Sequence, residues 1–466
     1  MAISGKTVVA RPRVEAHAAT AALQDTKSMT WLPAWRLREM IGRREISPVE
    51  VIDHFLGRIE ELNPLLNAFR GIDYRGAREQ ARRAERAVLA REHLGSLHGV
   101  PVALKEDIPI KGLPTINIQF LDRFVFSQAV APRDSIQAER LRAAGAILVG
   151  STVALGPRGL AQGTPFDDVG AQRPRNPWDT NRVPGLSSAG SAVAVAGGLV
   201  PVAMGSDYSG SIRVPSAFCG LMGLVTTRGR IPSHQLQLEE KLWGTCTGPM
   251  TRDVRDAAIV LQSVAGPDGR DLLSLQDDPP KYVENVDRGV AGMRVTWTND
   301  FGFAGNYALP QTARVIEMLR SAALGLGRMG VVVDQSSEVW EEPIEENGDR
   351  RIAGIGFRTS GEIRARNWQR CRSLFARYDM ILSPTVQFIA PTFDEWDRGA
   401  RFAESGSAYH GLAAEADTGL MSLGMPAATV PAGFLQNMPL GIQIIGHAND
   451  EVGVLRLAYA LLKVQA

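Results

Sequence analysis

The 466-residue chain is poor in the residues that most often announce a chemistry. It has only three cysteines and seven histidines. Cys219, Cys246 and Cys371 are too few and too scattered for a disulfide framework or a zinc site, and their use fits a reducing, cytoplasmic setting. The histidines form no His-Glu-x-x-His and no paired metal-ligand spacing, and His98, His234 and His410 read as ordinary polar residues. No charge of either sign dominates: 51 basic against 50 acidic residues leave +1, which gives no electrostatic footprint for nucleic acid. No apolar run reaches the ~18 to 20 residues of a spanning helix. The nearest, from Ala192 to Met204, is short and broken by Gly197, Gly198 and Pro201. Residues 1–30 lack the apolar core of a signal peptide and read as a loosely attached extension ahead of one domain over 31–466.

What the chain does have is hydrophobic content of 44% with 22% charged residues, the balance of an ordinary globular protein, and enough length for a large core. Ser47-Pro48-Val49-Glu50 combines an N-cap serine, a proline at the first helical position and a glutamate three residues on. The helix it starts carries Val51, Ile52, Phe55, Ile59 and Leu62 on one face, and Asn63-Pro64 is expected to end it. A second, charged helix is expected from Arg75 to Arg91. Gly99 to Lys105 reads as a short buried strand with lysine at its end. A helix from about Ser135 to Ala144 turns through Gly145 into a strand at 146–149. Val200 to Met204 is a further strand, and Ile212 to Gly220 starts a helix. Later come a helix over 252–266, strands at Met293–Trp297 and Val331–Val333 flanking a helix from Thr312 to Leu324, and a polar loop from about Trp340 to Asp349. Strands at Tyr378–Pro384 and Gly441–Ile445 precede a closing helix. Helices alternating with short buried strands argue for an α/β sheet covered on both faces.

Between these elements lies a stretch rich in Gly, Ser and Ala: Pro184-Gly185-Leu186-Ser187-Ser188-Ala189-Gly190-Ser191, an apolar segment, then Gly205-Ser206-Asp207-Tyr208-Ser209-Gly210-Ser211-Ile212-Arg213. A serine hydroxyl needs a partner to take its proton, and a lysine serves only with a neutral amine. Burial beside Val100 to Leu104 would favour that state for Lys105. A glycine-containing loop before Ser211 can aim main-chain N–H groups at one point, as an acyl-transfer oxyanion requires. Ser187 stands where it can relay a proton between Lys105 and Ser211. On composition alone, a tight turn into a closely packed helix explains 185–191 as well, and both readings stay open. The stretch lacks Gly-x-x-x-x-Gly-Lys-Ser/Thr and any Gly-x-Gly-x-x-Gly after an early strand, which argues against a phosphate cradle. No Gly-x-Ser-x-Gly surrounds either serine, which argues against a Ser-His-Asp hydrolase.

Taken together, these residues resemble the amidase signature family of serine hydrolases. The resemblance runs from Arg44–Glu50 through Leu62–Phe69, Gly99–Lys105, Lys111–Thr115 and Arg175–Asp179 to the 185–220 core and Gly248–Asp253. It continues in Leu382–Thr385, Gly424–Ala427 and Pro439–Gln443. It implies a single α/β/α domain on a mixed, twisted sheet and a Ser–cis-Ser–Lys triad with no cofactor and no metal. Ser211 would be the nucleophile, Ser187 the bridging serine after a cis peptide and Lys105 the base. The main-chain N–H groups of Tyr208, Ser209, Gly210 and Ser211 would form the oxyanion hole. Ser188, Asp207 and Arg213 would support it, with Arg213 also a candidate contact for an anionic substrate group. Departures from the family pattern are Leu186 for a glycine before the bridging serine, Tyr208-Ser209-Gly210 for a smaller run, Glu106 for an aspartate after the lysine, bulky residues over 116–126, and a short region near 335–365.

The implied activity is hydrolysis of carboxylic amides through an acyl-enzyme, with carbamates, anilides and esters open to the same apparatus. Phe120, Phe124 and Phe126 either favour an apolar or aromatic small-molecule substrate or belong to the core, and the expected assembly is a monomer or homodimer without nucleic acid or membrane span. The alternative is a glutaminase component that releases ammonia for a partner protein, as relatives in the tRNA transamidation complex do.

Overall fold

A computed structural model describes residues 29–120, 124–154, 173–207, 210–233, 245–302, 308–340, 361–396 and 424–465, the side chains of 117–128 and 361–364 aside. Eleven strands form one sheet: β1 (Phe69–Ile72), β2 (Pro101–Lys105), β5 (Ile147–Thr152), β6 (Val202–Asp207), β7 (Met222–Val225), β8 (Cys246–Thr251), β9 (Arg294–Trp297), β10 (Val332–Gln335), β11 (Met380–Pro384), β12 (Ala427–Leu435) and β13 (Met438–Gly446). Their spatial order is β1-β5-β2-β6-β8-β7-β12-β13-β11-β9-β10, and β3 (Pro114–Phe120) with β4 (Phe124–Val130) makes a separate antiparallel pair. The large sheet is mixed. β2 runs parallel to β5 and β6, and β9 to β10 and β11, whereas β6/β8, β7/β12 and β12/β13 are antiparallel.

Alternation along the strands splits the apolar residues between two cores, because successive side chains point to opposite faces. Val102, Leu104, Met204, Leu382 and Ile444 join one core, with the helices Val254–Val264, Thr312–Leu324 and Glu451–Gln465. Ala103, Ala203, Ile381 and Ile445 join the other, with the helices Pro48–Leu66, Tyr74–Leu89 and Ala189–Ala196. The sheet is thus covered on both faces, as the alternation of elements implied.

The capping box forms as read: Glu50 N–H donates to Ser47 Oγ at 3.0 Å and Ser47 N–H to Glu50 Oε2 at 2.7 Å. The helix does not stop at Asn63-Pro64 but runs to Leu66, with Pro64 inside it. Its end is set instead by left-handed Asn67, whose N–H returns to the Asn63 carbonyl at 2.8 Å, while Asn63 Oδ1 accepts from Phe69 N–H. Thr30 is buried; its Oγ1 is 2.8 Å from His54 Nε2, and its carbonyl accepts from Arg252 at 3.0 Å. The expected loop at 341–349 lies outside the described residues, as do His234 and His410 and the side chains of Phe120, Phe124 and Phe126.

Candidate active site

β2 lies between β5 and β6 with Leu104 opposite Met204, so its last residue, Lys105, stands beside the end of β6. The lysine is 2% exposed. Its Nζ has three acceptors: Ser206 Oγ at 2.6 Å, Ser187 Oγ at 2.7 Å and Asp107 Oδ2 at 3.1 Å. The lysine ends a strand that is buried throughout, but its nitrogen sits in a polar cage. Asp107 reaches it because Ile108 N–H donates to the Lys105 carbonyl at 2.7 Å, a turn that folds the chain back over the strand end.

The Ser187 loop is held against the Ser211 loop. The peptide between Leu186 and Ser187 is cis, as the resemblance implied, although leucine precedes the serine. Gly185 adopts φ +86°, and a Cβ there would lie 2.8 Å from Pro215 Cα, so this turn can pack on the 213–219 helix only as glycine. Ser188 N–H donates to the Ser211 carbonyl at 3.1 Å, and Ser188 Oγ to the Ser206 carbonyl at 3.1 Å. Gly205 permits that approach: a Cβ on it would lie 2.6 Å from Ser188 Oγ. Lys105 and Ser187 are therefore joined directly, and the Ser187 loop lies against the main chain of Ser211. The Lys105–Ser187 leg is hydrogen-bonded; among the described residues the Ser187 and Ser211 hydroxyls make no hydrogen bond with each other.

Asp207 organises the turn that carries Ser211. Its carboxylate accepts from Gly210 N–H (2.8 Å), Ile212 N–H (2.9 Å) and the Arg213 guanidinium (3.1 and 3.0 Å). Burial opposes ionisation, but the Arg213 charge and these hydrogen bonds outweigh it and hold the Asp207 carboxyl below the usual range. Two expectations change here. Arg213 is fully buried and engaged by Asp207 and by Gln443 Oε1 at 2.7 Å, so it clamps the loop rather than meeting substrate. The Gly210 amide, implied as an oxyanion donor, is spent on Asp207; Ser211 N–H has no acceptor among the described residues. Tyr208 and Ser209 lie outside the described residues.

Glu106, which departs from the family aspartate, is also buried. Its carboxylate accepts from Ala154 N–H at 2.6 Å and Arg70 Nε at 3.2 Å, tying the strand end to the chain after β5. Burial dominates and pushes its carboxyl up. Sequence reasoning passed over two residues of the cage, Asp107 and Ser206. The only signal for them was position, two after the lysine and one before the loop aspartate.

A two-sided mixed sheet thus brings one buried lysine to Ser187, on a loop bonded to the Ser211 carbonyl. Comparison with known proteins is decisive on family. The Amidase family model matches residues 50–337 and 334–455, and the chain belongs to that family, the amidase signature enzymes, which hydrolyse amides. Among curated relatives, a component of the glutamyl-tRNA(Gln) amidotransferase of Heliobacterium modesticaldum is 30% identical, covering 92% of this chain and 95% of its own. An acylamidase of Rhodococcus erythropolis is 29% identical, covering 93% and 95%. Among solved structures, a bacterial aryl acylamidase of the amidase signature family superposes with a TM-score of 0.76 at 24% identity, covering 93% and 96%, which establishes the shared fold.

Proposed function

We propose that this enzyme cleaves carboxylic amides of small molecules with Ser211 as nucleophile, Ser187 as relay and Lys105 as base, in a catalytic domain over 31–466. The observation that carries this reading is the 2.7 Å contact between Lys105 Nζ and Ser187 Oγ, on a loop whose next residue is bonded to the Ser211 carbonyl. Ser211 Oγ attacks the carbonyl carbon as its proton passes to Ser187 and that of Ser187 to Lys105. The tetrahedral oxyanion is met by main-chain N–H groups of the Ser211 turn, Ser211 N–H among them. Collapse breaks the C–N bond, and the Lys105 proton returns by the same route to the departing amine. Water, deprotonated along the relay, then releases the acid and restores Ser211. A side-chain rotation at either serine closes the second leg once substrate excludes water, since catalytic contacts commonly tighten only in the complex.

Anilides, carbamates and esters present the same trigonal carbonyl and fall within reach of this apparatus. The acylamidase relative favours an N-acyl substrate. Three buried cysteines, none of them in a disulfide, support a reducing, cytoplasmic setting. Among the described residues no helix is long and apolar enough to cross a membrane. The second reading, ammonia release from glutamine for a partner protein, is favoured by the names of relatives such as the Heliobacterium protein. Release assays on the lone protein with aryl amides, short aliphatic amides, carbamates and glutamine decide between them. Turnover of an aryl or aliphatic amide that vanishes in Ser211→Ala supports the first reading; turnover of glutamine alone overturns it.

A further inference from the structure

Resting on that reading, we infer that Asp107 is a positioning residue for the base: a fourth member that aims Lys105 at Ser187 and stabilises the ammonium formed during acylation. The lysine cage is the argument. Three oxygens lie within reach of Lys105 Nζ, as many as the N–H donors of the ammonium that forms during acylation, and the Asp107 carboxylate is the only acidic group among them. Asp107 also accepts from Ser206 Oγ at 2.5 Å, so one carboxylate oxygen holds both the lysine and the serine that flanks it. Its other oxygen is buried without a hydrogen-bond partner among the described residues, so the contacts of this carboxylate there are with Lys105 and Ser206.

Several elements surround this contact. β2 and its turn contribute Glu106 and Asp107, and Glu106 is paired with Arg70 and the Ala154 amide. β6 contributes the neutral Ser206, and the cis-peptide loop the neutral Ser187. On the β5 side, Thr152 is engaged with Ser191. When the proton of Ser211 arrives by way of Ser187, the new N–H bond converts the neutral Lys105 amine to an ammonium at 3.1 Å from a carboxylate. The carboxylate keeps its charge throughout. When the amine leaves, the lysine gives up the same proton and the pair returns to its starting state. A base oriented and electrostatically supported by a third group is the general logic of nucleophile activation, here applied to lysine rather than histidine.

The test follows the rate of Ser211 phosphonylation by a fluorophosphonate from about pH 5 to about pH 10, which needs no knowledge of the natural substrate. Asp107→Asn keeps the shape and one acceptor but removes the charge. It should lower the plateau rate roughly tenfold or more and move the rising limb about one pH unit lower, because an ammonium without its counter-ion loses its proton more readily. Asp107→Glu should return the limb towards the native position, and Asp107→Gln should not. Should Asp107→Asn fail to fold in a thermal melt, Asp107→Ser carries the same comparison. A rising limb that superposes on the native one in the uncharged variants overturns the proposal, since a purely structural residue would change amplitude alone. Lys105→Met separates this from the underlying reading. If it labels at the native rate, lysine is not the base and both fall; if it is silent while Asp107→Asn keeps the native limb, only the role of Asp107 falls.

Discussion

Arg213 closes on Asp207 with two hydrogen bonds, 3.1 and 3.0 Å, inside a region that solvent does not reach, and so fixes the turn between them that presents Ser211. Truncating the arginine strands a buried carboxylate, a loss of about 3–5 kcal/mol in comparable pairs. Arg213→Ala should therefore lower the denaturation midpoint strongly and abolish Ser211 labelling. Arg213→Lys should recover part of the stability but little of the labelling, because a single ammonium cannot span both Asp207 and Gln443. Chemical denaturation beside labelling rates checks both; an unaltered labelling rate in Arg213→Ala would remove the clamp from the account.

Ser187→Ala removes the hydroxyl that joins Lys105 to the loop lying against the Ser211 carbonyl. Turnover of an aryl amide should fall by at least about 10³-fold with an unchanged melting temperature, as losses of a member of a catalytic unit do. A loss below tenfold would mean that the proton travels another way.

Gly185→Ala tests the packing beneath the relay. Left-handed backbone and a Cβ 2.8 Å from Pro215 Cα require the loop to move. A cost of about 1–3 kcal/mol is expected for such overpacking, with slower labelling of Ser211. Calorimetry and labelling on one preparation measure both. Native values would show that the turn has slack the geometry does not suggest.

Asp256 offers a pH test away from the site. It caps the Ala34–Gly42 helix, accepting from Ala34 N–H and Trp35 N–H, each at 2.8 Å. Burial, with the Asp253 charge alongside, pushes its carboxyl up to about 7. In the unfolded chain it ionises near pH ~4. Between those values the folded state holds a proton that the unfolded state has lost, so this group's contribution to stability falls as pH rises through the window and levels above it. Melting temperatures from about pH 5 to about pH 8 should decline in the native protein relative to Asp256→Asn, which cannot titrate. Parallel curves would contradict the assignment.

Local signals carried much of the fold. Ser47 to Glu50 announced a helix because every group in a capping box lies within four residues, and Lys105 at the end of an apolar run announced a strand. Pro64 misled, because the helix end is decided by Asn67 and the Asn63 side chain rather than by the proline. β7, β8 and β12 were not legible: Gly223, Gly248-Pro249 and Pro431 with Gly433 disrupt strand propensity, and pairing with distant neighbours is what makes these segments strands. Within the site, Lys105, Ser187 and Ser211 could be named through a family resemblance. The engagement of the Gly210 amide by Asp207 and the return of Asp107 to Lys105 arise from tertiary approach, which spacing does not encode.

The most direct measurement of the central claim is peptide mapping by mass spectrometry after fluorophosphonate treatment. The account predicts one adduct per chain, on Ser211, absent from Ser211→Ala and strongly slowed in Lys105→Met. An adduct on another residue, or undiminished labelling of Ser211→Ala, would contradict it.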